Sequence, residues 1–335
     1  MLLRVLYLVL SLAIILVSCE LFTNGIEWAG RKLRVGDGVV GSIFSAVGTC
    51  LPETMIPVMA ILFSSGGNEA VDIGIGAIVG APFMLSTLAF FITGMSVLLF
   101  RKSRVTGLDI RVNSRLLSRD IGFFLIVYTI GVAAAFTNSI YVKYSISVLL
   151  AGLYVYYIVL TVRNDKQSHG QLDALYLEGI LGLKTGFFTI LLQVFISLTG
   201  IIIGAHMFVG NLEEISNTLG VSALVLSLII APIATELPEK FNSIIWISKN
   251  KDTLALGNIT GAMVFQSCIP VSIGIAATPW ILDGRAVISA VLAMISSLVT
   301  YLWLRIKGRL SPVPLLSGIF FYGVFIAFLF KGGLR

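Results

Sequence analysis

The sequence has few charged residues. Asp, Glu, Lys and Arg make up only 12% of its 335 residues, whereas 57% are hydrophobic, and the mean hydropathy is +0.99. A soluble domain carries a charge at roughly 25% of its positions. This composition excludes an ordinary soluble protein and indicates that lipid surrounds most of the chain.

Cysteine and histidine are also scarce, with three cysteines and two histidines in the chain. Cys19, Cys50 and Cys268 lie in apolar segments without CxxC spacing, which argues against a disulfide framework or a zinc site. His169 lies in a polar segment and His206 stands alone, so no His-Glu-x-x-His helix is present to support an intramembrane hydrolase. We therefore expect no enzyme activity and no cofactor.

Long apolar runs are abundant, and several reach the roughly 20 residues that span a bilayer as a helix. We predict an all-α integral membrane protein with ten transmembrane helices. The predicted helices are 3–31, 38–65, 70–99, 119–137, 140–162, 180–209, 219–248, 253–278, 284–304 and 312–330. The start, 1–18 followed by Cys19, also resembles a lipoprotein signal, but the pattern continues through 20–34, which favours a membrane helix.

The net charge of +6 comes with no basic patch interleaved with aromatic residues, so we expect no nucleic-acid partner. Most Lys and Arg residues lie in alternate loops, which the positive-inside rule places in the cytoplasm. The rule thus predicts a multi-pass cell-membrane protein with both termini outside. The basic residues left outside are few: Arg4, Lys143, Arg285, Lys331 and Arg335.

The chain contains an internal repeat. At an offset of 186 residues, Gly-Thr-Cys-Leu-Pro-Glu at 48–53 matches Ala-Thr-Glu-Leu-Pro-Glu at 234–239. After a small shift, 76–81 matches 257–262. Two matches in the same order indicate a duplicated unit.

Each unit holds five predicted helices, so the second enters the membrane in the opposite orientation. Such inverted repeats are typical of secondary transporters. We predict a first five-helix repeat at 1–162, a short cytoplasmic linker at 163–178 and a second, inverted repeat at 179–335.

Two acidic residues, Glu53 and Glu239, occupy matching places near the centres of the predicted helices 38–65 and 219–248. A charged side chain at the bilayer centre costs about 2.5–3.5 kcal/mol on insertion scales, so each marks a functional site. The alternative is a carboxylate kept neutral or paired with a lysine inside the bundle.

Hydroxyl groups accompany both acids. Thr49 precedes Glu53 by four residues, and Thr235 precedes Glu239 by four, so each pair projects from one helix face. Each helix thus offers a small cluster of oxygen atoms. Alternatively, each threonine bonds its own helix backbone.

A proline directly precedes each acid, as Pro52 and Pro238. A proline inside a helix frees the carbonyl four residues earlier, here that of Gly48 or Ala234. Freed carbonyls beside a carboxylate suit a hard cation such as calcium or sodium. The other interpretation is a kink that serves packing alone.

Small residues follow each motif, as Gly76-x-x-x-Gly80 and Gly257-x-x-x-Gly261. This spacing lets neighbouring helices approach closely. Asn258, inside the second motif, supplies either a further ligand oxygen or a hydrogen bond between helices.

These motifs, in this order, resemble the two alpha-repeats of the cation/calcium antiporters, which include the sodium/calcium exchangers. The resemblance covers nearly the whole chain. It implies ten helices, alternating access and a central site with one glutamate from each repeat. It also implies exchange of calcium for sodium or protons, with Thr49, Glu53, Thr235 and Glu239 at ligand positions.

The chain departs from the pattern of this family in two respects. The glycine motif is usually followed by Ser-Asn or Ser-Asp, but the sequence has Ala81-Pro82 and Ala262-Met263. The serine before Leu-Pro-Glu is also replaced, and the replacements are Cys50 and Glu236.

The acidic replacement lies four residues before a lysine. Glu236 and Lys240 can form an i,i+4 ion pair. Lys240 can instead act as a built-in cation that occupies part of the site. The departures leave open which cations are exchanged.

We predict a secondary active antiporter that exchanges calcium for sodium or protons at a midplane site between Glu53 and Glu239. Two facing carboxylates retain a proton more readily than one does, so a proton is a possible counter-ion. The alternatives are an antiporter for a different cation and a non-transporting ion sensor or scaffold of the same fold. The candidate ligands are Glu53, Glu239, Thr49, Thr235, Glu236, Asn258, Gly48 and Ala234.

Overall fold

The computed structural model describes residues 2–32, 50–63, 67–164, 174–182 and 185–332, and its secondary structure there is helical apart from one isolated bridge between Ile110 and Leu310. The helices of the first part are α1 (Leu2–Lys32), α2 (Leu51–Leu62), α3 (Gly67–Met84), α4 (Phe90–Leu99), α5 (Ser114–Ala133) and α6 (Ile140–Asn164). Those of the second part are α7 (Tyr176–Leu181), α8 (Phe187–Leu219), α9 (Ala223–Ser248), α10 (Asp252–Ala277), α11 (Gly284–Lys307), α12 (Pro312–Leu316) and α13 (Gly318–Gly332).

Within these residues, 8 helical stretches are long and apolar enough to cross a membrane. Two further apolar helical segments are shorter, namely α2 and the first part of α9, 223–233. A π-helical turn, Leu85–Ala89, joins α3 to α4 into a single span. The chain is therefore a multi-pass membrane protein, and the part that the structure describes is helical. Half of the predicted helix 38–65 lies outside the described residues.

Several predicted helix boundaries are wrong, because local capping decides them. The helix predicted at 180–209 is α8, which continues to Leu219 and ends where Gly220 adopts φ 62°. The helix predicted from 119 starts at Ser114, since the Asn113 side chain accepts a hydrogen bond from the Leu116 backbone. The predicted helix 312–330 is divided into α12 and α13.

Helices α1 and α8 lie side by side and pack through small residues. A Cβ added to Gly204 would come 3.1 Å from the Ser11 carbonyl, and one added to Gly200 would overlap the Ser18 hydroxyl. Close approach of two helices through glycine and serine is typical of membrane proteins, where van der Waals contact drives association.

The buried apolar residues form two clusters. One is centred on α5, α6, α10 and α11, and the other on α1, α2 and α8. Helices α3 and α9 contribute to both, for example through Ile78 and Leu228 to the first cluster and Ala77 and Ala231 to the second. The α3–α9 pair therefore lies between the two clusters.

Ion pairs and polar contacts mark the two ends of the bundle. At one end, Arg4 pairs with Glu214, and Asn217 donates a hydrogen bond to Glu69 at 3.0 Å. At the other end, Arg104 is buried and binds both carboxylate oxygens of Asp252, at 2.7 and 2.8 Å. We call these the acidic end and the arginine end.

Candidate functional site

Two glycines bring the backbone of α3 against that of α9. A Cβ added to Gly76 would lie 2.5 Å from the Leu224 carbonyl oxygen, and one added to Gly80 would lie 2.4 Å from that of Leu228. Only glycine permits this approach. The predicted close contact between helices is thus present for the first motif.

For the second motif, a Cβ placed on Gly257 would make only an ordinary contact within the described part of the chain, with Leu116 at 3.9 Å. The repeat offset of 186 pairs the Leu224–Pro232 stretch of α9 with residues 38–46, which lie outside the described residues. The partner expected for this motif is therefore not described.

Next to the contact between α3 and α9, residues from α2, α3 and α9 line a narrow gap. Its empty volume is ≈ 170 Å³, and it is too narrow to admit a water molecule. The lining residues are Glu53, Ile56, Ala77, Ala81, Ala231, Pro232 and Thr235. Two of the predicted ligands, Glu53 and Thr235, thus lie at the same gap.

Glu53 is 5% exposed and lies in the first turn of α2. The prediction that it lies near the centre of a helix is wrong, because α2 begins at Leu51 with Pro52 in its first turn. Proline lacks the N–H that a helix interior needs but fits a helix start.

Thr235 is buried, and its hydroxyl donates a hydrogen bond to the Ala231 carbonyl at 3.0 Å. The alternative of bonding to its own backbone is therefore realised. Because the hydroxyl proton is used inside the helix, its oxygen retains lone pairs that can accept or coordinate.

Four other candidate ligands lie wholly or partly outside the described structure. Gly48 and Thr49 lie outside the described residues, and Ala234 and Glu239 lie within α9 with side chains outside the described part. Asn258 is half-buried on α10, and the described lining of the gap does not include it.

Glu236 and Lys240 form the ion pair predicted from their spacing. The ammonium nitrogen lies 2.9 Å from a carboxylate oxygen, and the side chains are only 1% and 2% exposed. Glu236 directly follows Thr235. A buried ion pair thus lies beside the gap within α9.

Gln266 on α10 is a polar residue that sequence reasoning missed. Gln266 is 1% exposed, and its amide oxygen and nitrogen have no hydrogen-bond partner among the described residues. Helix α10 packs against α2, α3 and α9, the helices that line the gap. An amide side chain in the apolar part of a membrane helix is the signal that could have identified it.

A second missed feature is a basin of ≈ 570 Å³ at the acidic end, lined in part by Glu69, Asp72 and Asn217. Asp72 precedes Ala77 on α3, so the basin lies about 7.5 Å along the helix from the gap. Asp283 lies within electrostatic range of Asp72. The basin is therefore lined by acidic side chains. Helices α3 and α9 contribute to both the basin and the gap.

No three His, Cys, Asp or Glu side chains come together as a metal cluster in the described part of the chain. The described oxygen atoms at the gap come from one carboxylate and one hydroxyl. Such oxygen donors suit hard cations rather than zinc.

The family model described as "Sodium/calcium exchanger protein" matches residues 3–163 and 189–331. Among curated proteins, "Inner membrane protein YrbG" of Escherichia coli is 26% identical over 98% of this chain and 96% of its own length. CaxA of Alkalimonas amylolytica, named as a candidate antiporter, is 24% identical over 98% of both chains.

Solved structures share the fold. The H+/Ca2+ exchanger CAX has a TM-score of 0.74 at 17% identity, over 98% of this chain and 82% of its own. The sodium-calcium exchanger NCX_Mj, soaked with Na+ and Sr2+, has a TM-score of 0.59 at 22% identity, over 97% and 98%. The resemblance inferred from the two sequence motifs is confirmed.

Proposed function

The chain belongs to the sodium/calcium exchanger protein family, and from this premise we propose that it is a secondary active antiporter that exchanges calcium for sodium or protons. This family consists of transporters rather than enzymes. The observation that carries the proposal is the buried Glu53 carboxylate, which shares a gap with Thr235 between helices of the two repeats.

We assign the transport site to Glu53 and Glu239. Glu239 follows Thr235 by one turn of α9, so the two residues belong to the same helix face. Thr49, Glu236 and Asn258 are further candidate side-chain ligands, with Gln266 added by its burial. Backbone carbonyls complete the set, and the candidates there are Gly48 and Ala234.

The proposed architecture has ten helices in two inverted repeats, 1–162 and 179–335, joined by the cytoplasmic linker 163–178. The pairing of α1 with α8 supports it, because these helices occupy the first place in their repeats. The pairing of α3 with α9 likewise joins one repeat to the other.

We place the acidic end outside and the arginine end in the cytoplasm, with both termini outside the cell membrane. The loop between α4 and α5 and the α9–α10 turn, rich in Lys and Arg, meet at the arginine end. Positive charge is retained on the cytoplasmic side of membrane proteins.

In the proposed cycle, the site opens alternately to each side and binds either calcium or the counter-ion. The gap has no room for a water molecule in this structure, so the site has to widen when it opens to either side. Competition for the same carboxylates couples the two fluxes. The names of the structural relatives support both proton and sodium as counter-ions.

A second candidate is a non-transporting ion sensor of the same fold. Ala81 favours it, because it lines the gap at a position where the family pattern has a polar ligand. An antiporter for a different cation is consistent with the same replacement. Ion binding without counterflow would identify the sensor.

The test is ion flux in proteoliposomes, with calcium, sodium and pH gradients imposed one at a time. The unmodified protein should show counterflow of calcium against sodium or protons, and Glu53→Gln and Glu239→Gln should each abolish it. Glu214→Gln, an equal charge change at an exposed ion pair, is the matched control. Absence of cation-dependent counterflow overturns the proposal.

A further inference from the structure

The second repeat carries a charged pair at positions where the first repeat is neutral. The offset of 186 residues aligns Cys50 with Glu236 and Thr54 with Lys240. In α2, the Thr54 hydroxyl donates a hydrogen bond to the Cys50 carbonyl at 2.7 Å. In α9, the equivalent positions hold an ammonium and a carboxylate 2.9 Å apart. At these two positions, the second repeat therefore has one acidic and one basic side chain where the first repeat has neutral ones.

The pair lies at the level of the gap. Pro232 and Thr235 line the gap, and Glu236 comes one residue after Thr235 and one turn after Pro232. Side chains on a helix lean towards its N-terminus, so Lys240 reaches back towards Glu236 and towards the gap. Its ammonium is thus within about one helical turn, ~5.4 Å, of the level of the gap.

The pair lies in the protein interior. Glu236, Lys240 and Ser243 are each at most 1% exposed and recur along one face of α9. Neither side chain of the pair reaches the surface of the described structure. Any compensation of the Glu236 charge must therefore come from within the bundle.

Stability alone is a weak reason for such a pair. Apolar residues of similar volume often stabilise a protein as well as a buried ion pair does. Glu236 without Lys240 would instead add a third acidic side chain, one residue from the gap-lining Thr235, and a cation from solution would have to balance its charge. Lys240 supplies that cation from the chain itself.

We propose that Lys240 is a tethered cation that fills one cation position of the transport site and makes the exchange electroneutral. The inference rests on the proposed antiport. Lys240 balances Glu236 throughout the cycle, so Glu53 and Glu239 carry the two remaining negative charges. One divalent cation neutralises these two charges, and so do two monovalent cations. The loaded site then crosses the membrane with the same net charge in both directions.

The experiment measures calcium flux and the coupling ratio in proteoliposomes whose membrane potential is clamped with potassium and valinomycin. Flux through the unmodified protein should not depend on the potential. Lys240→Met should couple one additional monovalent cation to each calcium ion and make the flux depend on the potential. A merely structural role for Lys240 would change the amount of folded protein but not the coupling ratio.

Two further variants complete the test. Glu236→Gln combined with Lys240→Met removes both charges and should return the coupling ratio to that of the unmodified protein. Arg4→Gln removes one positive charge from an exposed ion pair and should not alter the ratio. If Lys240→Met does not fold, the single variant Glu236→Gln tests the proposal. It keeps the lysine but loses one acidic ligand, so it should couple one monovalent cation fewer to each calcium ion.

The outcomes separate the two proposals. Flux that depends on the potential in the unmodified protein overturns the inference about Lys240, and so does an unchanged ratio in Lys240→Met or, where that variant does not fold, in Glu236→Gln. Both results leave antiport intact. Absence of any counterflow in the unmodified protein overturns the antiport proposal itself.

Discussion

Glu53 and Thr235 line one gap although they belong to different repeats, the carboxylate coming from the first turn of α2 and the hydroxyl from the middle of α9. The gap exists because Gly76 and Gly80 let α3 lie directly against α9. The lateral position of α9, and with it that of Thr235, is therefore set by two glycines that bind nothing themselves.

Thr235→Val should weaken cation binding. Valine keeps the shape but removes the hydroxyl oxygen, and a lost ligand worth about 1.4 kcal/mol corresponds to a tenfold change in affinity. The concentration of calcium giving half-maximal flux should rise about tenfold. Thr235→Ser retains the oxygen and should stay close to the unmodified protein. Equal flux curves for all three proteins would remove Thr235 from the site.

Gln266→Leu should separate a binding role from a structural one. The amide makes no hydrogen bond within the described chain, so its removal should cost no stability and can increase the free energy of unfolding. Cation affinity should fall if the amide oxygen contributes to the site. Thermal unfolding in detergent and calcium-dependent flux measure the two effects. A drop in stability with unchanged affinity would assign Gln266 to packing.

Gly80→Ala should destabilise the protein by forcing α3 away from α9. The added methyl group would lie 2.4 Å from the Leu228 carbonyl oxygen. Such overpacking typically costs about 1–3 kcal/mol. Gly152→Ala on α6 is the matched control, since no atom of the described structure lies within 4 Å of its added Cβ. Unfolding by SDS in mixed micelles compares the two variants.

Arg104→Met should lower stability strongly, because it leaves the buried Asp252 carboxylate without its guanidinium. Breaking a buried pair by removing one partner costs about 3–5 kcal/mol. In contrast, Arg4→Gln removes a half-exposed pair, and such pairs contribute about 0.2–1 kcal/mol. The same SDS unfolding assay applies. Similar losses in the two variants would contradict a special role for the Arg104 network.

Asp72→Asn should reduce the calcium flux that enters from the acidic end, mainly at low ionic strength. The carboxylate lines the open basin, and a negatively charged basin raises the local concentration of cations. Salt screens this effect over about 8–10 Å at 0.1–0.15 M. The difference in flux between Asp72→Asn and the unmodified protein should therefore shrink as inert salt increases. Asp109→Asn, the same charge change at the arginine end, is the control, and an effect of equal size there would refute steering by the basin.

Local features of the structure could be predicted from the sequence. The long apolar runs predict the membrane-spanning helices, because a helix satisfies its own backbone hydrogen bonds in lipid whatever surrounds it. The Glu236–Lys240 pair is likewise local, since residues four apart share a helix face. The recurring motifs also sufficed to identify the exchanger family.

Helix starts and partners could not be predicted in the same way. Every apolar helix surface suits lipid, so the sequence does not say that α1 faces α8 or that α3 faces α9. The burial of Gln266 and the basin beside Asp72 depend on those pairings. The start of α2 at Leu51 also escaped prediction, because an apolar run around Pro52 fits a continuous helix and an interrupted one equally well.

The sequence by itself determined that the chain is a helical membrane protein of the exchanger family and which acidic residues belong to its motifs, because these properties follow from composition and spacing along the chain. Only the tertiary structure decided that Glu53 and Thr235 share a gap too narrow for water. That result depends on how closely two distant helices approach, and contacts between backbones fix this distance.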